Sequence, residues 1–349
     1  VLLADGGMSE RLRPDIAAMR QTLCARLHAC LQDLPAVLRA DLLEALAVEG
    51  KLCHQPVLPL DGNWALVPFC LAQALCADVD LQESAAVAVA MECLICATDL
   101  LDDVMDEDRT PLIARLGEAR TLNVALALLF LPQRLLLAQA GSSRLLQVLD
   151  SIQQALLQAI VGQQRDLLAE DCPLWQWCRE DCLAIAAAKA GSLLGLACHM
   201  AALCAGVQEA QVERCTRLGQ LLGIAAQLDN DAHDLSRLLE GASGCKSDLR
   251  RGKKTLPVVL AVHALCATHP QEVEEIEQVL QHFPALAAEK RQVYLAALRE
   301  GILTTWGFVL LYRERARELY QTIVGDSPLW ADLSYLLGLT EEPGEIITW

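Results

Sequence analysis

A helical rhythm with little to interrupt it narrows the fold more than any other feature of this chain. Apolar residues recur at i, i+3, i+4 and i+7 across Ile16–Leu34, Val87–Leu101, Leu122–Leu137, Leu145–Leu168 and Val212–Leu228. No segment alternates with a period of two, and no hairpin signal stands between two alternating runs. Hydrophobic residues make up 54% of the sequence but aromatics only 4%, so the apolar mass is Leu, Ala, Val and Ile. That mixture favours helices with wide buried faces. The expected fold class is all-α, helix packed on helix.

Turn chemistry breaks the rhythm at His54–Asn63, Ala140–Ser143, Asp171–Trp175 and Glu240–Gly244. None of these is long enough for an interdomain linker, so the expectation is one domain over 1–349, with loose ends near 1–10 and 340–349. A net charge of −17 argues against a nucleic-acid or anionic-membrane partner and fits a protein that gathers cations. The 15 cysteines lie in apolar runs and read as reduced cytoplasmic thiols filling the core. Ala190–Val207 is the longest low-charge run and falls short of a membrane span, so no transmembrane segment is expected.

Against this background "CATDLLDDVMDEDR", Cys96–Arg109, is anomalous: an apolar helix runs into a dense group of acids that repel one another. Asp102 and Asp106 share a helix face, with Asp103 beside them. Converging carboxylates of this kind suit Mg²⁺, a hard ion that keeps waters and commonly bridges to phosphate. A second set, Gln227, Asn230, Asp231 and Asp234, forms one helical stripe after another apolar run. Either cluster alone reads most simply as a solvated face. Together they suggest two buried helix ends facing one pocket.

Cationic and amide groups supply the other half of such a site. Lys189 stands alone in "IAAAKAGSLLG", where an unpaired ammonium is costly and an anion is the better partner. "SDLRRGKKTLP", Ser247–Pro257, reads as a flexible basic loop able to close over phosphate, with Lys253 within it. "VGQQRDLL" places Gln163, Gln164, Arg165 and Asp166 midway along an apolar helix.

In their order, "LLDDVMDED", "GQQRDLL", "KAGSL", "QLDNDAHDL" and "SDLRRGKKTLP" resemble the trans-prenyltransferase (polyprenyl synthetase) family, over about Gly50 to Val262. The resemblance implies a class I isoprenoid synthase bundle of about a dozen helices around a central cavity. It implies ionisation of an allylic diphosphate with three Mg²⁺ ions, and a homodimer. Carried over by position, Asp102, Asp103, Asp106, Asn230, Asp231 and Asp234 become metal ligands or their neighbours. Lys189, Gln227, Lys253 and Gln163 become contacts to the substrate diphosphate, with Asp102, Asp103, Lys189 and Asp231 central to catalysis. Ala97, five residues before Asp102, becomes the chain-length position; its small side chain admits a C15 or C20 substrate, farnesyl or geranylgeranyl diphosphate.

The departures bear on what the cation does next. Elongating members carry GGKRxRP for the second substrate, isopentenyl diphosphate; here "EGKLCHQP" keeps Lys51 and lacks the arginines. After the first acidic motif only Arg109 stands where a paired Arg-Arg-Gly is expected. Each lost charge-assisted contact is worth about 1.5–3 kcal/mol. The expectation ranks a non-elongating terpene synthase first. Second is transfer to a non-isoprenoid acceptor, since "CATDLLDDVMDED", "TLNVALALL" and "KAGSL" are similar to ComQ-type isoprenyl transferases that modify a peptide tryptophan. Chain elongation comes third, and a non-catalytic subunit of a heteromeric synthase last.

Overall fold

The computed structural model describes residues 6–56, 63–137, 142–240, 248–271, 273–281, 288–325 and 336. Among them are fourteen α-helices and no strand. They are α1 (Gly6–Leu31), α2 (Ala36–Ala45), α3 (Asn63–Leu75), α4 (Leu81–Met105), α5 (Pro111–Leu116), α6 (Glu118–Leu137) and α7 (Ser142–Glu170). After a 3₁₀ turn at Leu174–Gln176 come α8 (Arg179–Ala186), a π-helical turn (Ala187–Gly191), α9 (Ser192–Ala205) and α10 (Glu209–Leu239). The chain continues through α11 (Asp248–Arg251), α12 (Leu256–Thr268), α13 (Val273–Gln281) and α14 (Ala288–Val324). Residues 57–62, 140–141 and 241–247, where turn signals were noted, lie outside the described residues, as do 1–5 and 337–349.

By contact the chain forms two compact units: 1–152 with 196–216 and 319–349, and 153–195 with 217–318. The changes of unit fall inside α7, α9, α10 and α14 rather than in linkers.

In the first unit α4 is the central element. The Asp80 carboxylate caps its start by accepting from the N–H groups of Gln82 and Glu83 at 2.7 and 3.3 Å. From Ser84 to Ala97 every residue of α4 is buried, enclosed by α1, α3 and α6. An all-round apolar helix is stable only inside such a shell. α6 turns Val124, Ala125, Leu128 and Leu135 inward, one stripe of helical period. Thr110, whose hydroxyl accepts from Ile113 N–H, and Pro111 start the short α5 between them.

In the second unit α8, α10, α12, α13 and α14 contribute to one apolar cluster that includes Leu228, Leu235, Leu256, Val259 and Leu298. Along α10, Gly219 and Gly223 lie against backbone: a Cβ on Gly219 would stand 2.1 Å from the carbonyl oxygen of Leu194, and one on Gly223 2.3 Å from that of Ala190. Only hydrogen fits there, so two glycines four residues apart seat α10 on the π-turn and the start of α9.

Leu81–Met105, Glu118–Leu137, Arg179–Ala205 and Arg291–Val324 are long and apolar enough to cross a membrane by length and composition. For Leu81–Met105 the enclosure by neighbouring helices accounts for that apolarity.

Candidate active site

The first acidic set lies where α4 ends, in the first unit. Asp106 is the C-cap, its N–H bonded to the carbonyl of Asp102 at 2.8 Å. Glu107 then takes a positive φ of 56°, the left-handed step that stops a helix, and Asp108 N–H returns to the Asp103 carbonyl at 2.9 Å. Asp102 and Asp103 are half-buried and Asp106 is buried. Five acidic side chains at a helix C-terminus, Asp102, Asp103, Asp106, Glu107 and Asp108, oppose the macrodipole, an arrangement with no folding benefit. Ala97 is wholly buried within α4.

One turn before Asp102, Asp99 forms an ion pair with Lys51. Burial disfavours the Lys51 ammonium, but Asp99 and the nearby Glu92 outweigh it and hold the lysine protonated beyond its ordinary range. Glu92 is itself buried; its carboxylate accepts the Leu52 N–H at 2.6 Å, and desolvation raises its pKa. The one basic residue surviving in "EGKLCHQP" is thus bound to α4. Nothing in the sequence spacing identifies Asp99 as its partner.

The second set lies in the second unit. α10 runs on to Leu239, so Asp231 and Asp234 sit within a continuous helix, not at its end as expected. Gln227 donates its amide to Asp231 Oδ1 at 3.0 Å, both half-buried, whereas Asn230 is exposed. The other side of this turn is already engaged: Asp229 accepts from Arg313 at 3.2 Å and lies 3.4 Å from His233. His233 meets Trp306 edge-on, ring centroids 5.6 Å apart. Both aromatic groups play the packing roles their types suggest.

Lys189 rides on the π-helical turn, a local widening often found at functional positions. Its ammonium donates to Asp166 of α7 at 3.1 Å, and that of Lys253 lies 4.0 Å from the same carboxylate. The counter-ion of Lys189 is therefore a side chain from "GQQRDLL", and two cations share one anion. α7 comes this close because of Gly162, where a Cβ would stand 2.9 Å from both Ala188 Cβ and Lys189 Cγ. On the next residue, Gln163, both amide atoms are buried and make no hydrogen bond among the described residues. A buried amide in that state costs about 1–3 kcal/mol. Desolvation raises the pKa of the buried Cys182 thiol, and the negative charges of Asp231, Asp181 and Asp166 add to that rise.

The segment read as a flexible basic loop is tightly held over its described part; Ser247 lies outside it. Arg251 pairs with Glu170 at 2.9 Å, and Gly252 turns the chain with φ of 75°. Lys254 donates to the carbonyls of Glu170 and Gly252 at 3.3 and 2.7 Å. Of the two lysines, Lys254 secures the loop, which leaves the ammonium of Lys253 beside Asp166.

A family model described as Polyprenyl synthetase matches residues 64–297. The chain is 29% identical over 210 residues to a geranylgeranyl diphosphate synthase of Mycobacterium tuberculosis, spanning 58% of this chain and 59% of that protein. To heptaprenyl diphosphate synthase component 2 of Geobacillus stearothermophilus it is 28% identical over 285 residues, 77% of this chain and 88% of that one. Among solved structures, a polyprenyl synthase from Caulobacter crescentus, complexed with calcium and isoprenyl diphosphate, superposes with a TM-score of 0.77 over 97% of this chain and 98% of its own, at 21% identity. The fold is the all-helical isoprenoid synthase fold. Since the family match includes both acidic sets, Lys189 and Lys253, the chain belongs to the polyprenyl synthetase family of trans-prenyltransferases.

Proposed function

We propose that the protein ionises an allylic isoprenyl diphosphate and extends it with a second isoprenyl diphosphate. One observation carries the first half: two lysines share Asp166 beside Gln163, whose buried amide is unbonded among the described residues. Two ammonium donors, with an amide whose donor and acceptor are unbonded among the described residues, suit a diphosphate. Lys189 and Lys253 would bind and orient the leaving group, with Gln163 and Gln227 fixing its position.

The donor set also fits a hard divalent cation. Asp102, Asp103 and Asp106 in the first unit would hold Mg²⁺, as would Asp231, Asp234 and Asn230 in the second, three ions in all. Mg²⁺ bound there supplies Lewis-acid neutralisation of the departing diphosphate. The buried Leu, Ala and Val residues of α4 offer no nucleophile and exclude water. Ala97 supports a C15 or C20 substrate.

Elongation is favoured because the relatives named above are synthases of geranylgeranyl and longer diphosphates. A second reading, a non-elongating terpene synthase, is favoured by the Lys51–Asp99 ion pair: an incoming isopentenyl diphosphate would have to displace Asp99. Incubating the purified protein with Mg²⁺ and farnesyl or geranylgeranyl diphosphate, with and without isopentenyl diphosphate, separates the readings. Longer diphosphates formed only with the co-substrate are the expected result. Hydrocarbon or alcohol formed without it would overturn elongation in favour of the cyclase. Pyrophosphate release that requires an added indole or tryptophan peptide would favour the ComQ-like transfer.

A further inference from the structure

A third group of ligand-type side chains lies apart from both acidic sets. Cys24 and His28 are one helical turn apart on α1, and Cys53 stands in the turn that follows α2. The Sγ atoms of Cys24 and Cys53 are 3.1 Å apart, and the ligand atoms of all three residues lie within 4.8 Å of one another. Among the described residues no other group of three or more His, Cys, Asp and Glu side chains is gathered so closely, the acidic sets included. Cys53 is buried, its N–H bonded to the carbonyl of Leu46 at 3.1 Å; Cys24 is half-buried and His28 exposed.

We propose that Cys24, His28 and Cys53 form a Cys₂His site for zinc, with its fourth position open to water on the His28 side. Two sulfurs and an imidazole are soft-to-borderline donors, the set zinc prefers and Mg²⁺ does not. With Zn–S bonds of about 2.3 Å, tetrahedral geometry separates the two sulfurs by just under ~4 Å. The pair as it stands has to spread by less than an ångström. A disulfide would use the two sulfurs alone and gives His28 no part, whereas the i, i+4 spacing sets the imidazole on the face that carries Cys24. The ion would join α1 to the turn two residues beyond Lys51, the lysine paired with Asp99. The proposal does not depend on the reading of the acidic sets.

Titration of the reduced full chain with Co²⁺, followed by near-ultraviolet thiolate-to-cobalt absorption, tests it; carboxylates cannot produce that band. One equivalent per chain is expected, displaced by Zn²⁺ and unaffected by excess Mg²⁺. Cys24→Ser and Cys53→Ser should abolish the band. His28→Gln, at an exposed position that spares the fold, should weaken binding about tenfold or more. The proposal is overturned if the wild type shows no band, if the three variants all retain it, or if peptide mapping finds a Cys24–Cys53 disulfide while the reduced chain takes up no metal.

Discussion

At the level of single residues, the charged groups are organised by partners far away in the chain. Lys189 was legible as a buried cation, because an ammonium in an apolar helix demands an anion, but its partner Asp166 lies 23 residues away on another helix. Lys51 and Asp99, 48 residues apart, are the same case with a larger consequence, since their pairing engages the residue that resembles the co-substrate lysine. His233 offers a test. The hydrogen bond to Asp229 raises its pKa above the ordinary histidine value, against some desolvation. The protonated imidazole therefore stabilises the fold below about pH 6.5, its unfolded value, and that contribution fades as pH rises through the higher folded value. Urea unfolding of wild type and His233→Gln should show a gap that is widest near pH 5.5 and narrows by about pH 8.5. A gap independent of pH would mean that only the Trp306 contact matters.

At the level of elements, the periodic segments named from the sequence overlap α1, α4, α6, α7 and α10, since each displays a stripe of apolar residues; α14, the longest described helix, is not among them. Two further features escaped the periodicity. Asp231 and Asp234 continue a helix that runs to Leu239, because Leu235 and Leu238 keep the apolar stripe going beyond the acids. The π-turn at Ala187–Gly191 has no marker in the residues beyond a lysine between alanines. Its position is set from outside by Gly223 and Gly162. Gly223→Ala would press a Cβ to 2.3 Å from the Ala190 carbonyl oxygen and 2.7 Å from Gly191 Cα. Overpacking against backbone costs about 1–3 kcal/mol or more. The variant should melt earlier and lose turnover, because α10 carries Gln227 and Asp231 one and two turns beyond that contact. Gly307→Ala on α14, where nothing lies within 4 Å, is the matched control and should be neutral or stabilising by up to about 1 kcal/mol. Equal melting temperatures for the two would refute the account of the close approach.

For the whole molecule, the outward face of α6 leads to the last prediction. Leu122, Leu126 and Phe130 stand four residues apart along one side of the helix, all exposed, opposite the stripe turned toward α4. An apolar row of this size on a surface helix suits contact with a second copy. The homodimer that the family resemblance implies is expected to give twice the chain mass by light scattering, and Leu126→Asp with Phe130→Asp to shift it to monomer with helicity retained; a wild-type monomer would end that expectation. The sequence by itself determined the all-α class, five of the long helices and the residues able to carry charge or bind a metal. Those follow from local periodicity and from side-chain chemistry that does not change on folding. Only the tertiary structure decided that Lys189 answers to Asp166, that Lys51 is held by Asp99, that glycines seat α10 on a π-turn, and that two cysteines and a histidine meet. Pairing across tens of residues depends on which helix faces pack, and a close backbone approach leaves no mark except the absence of a side chain.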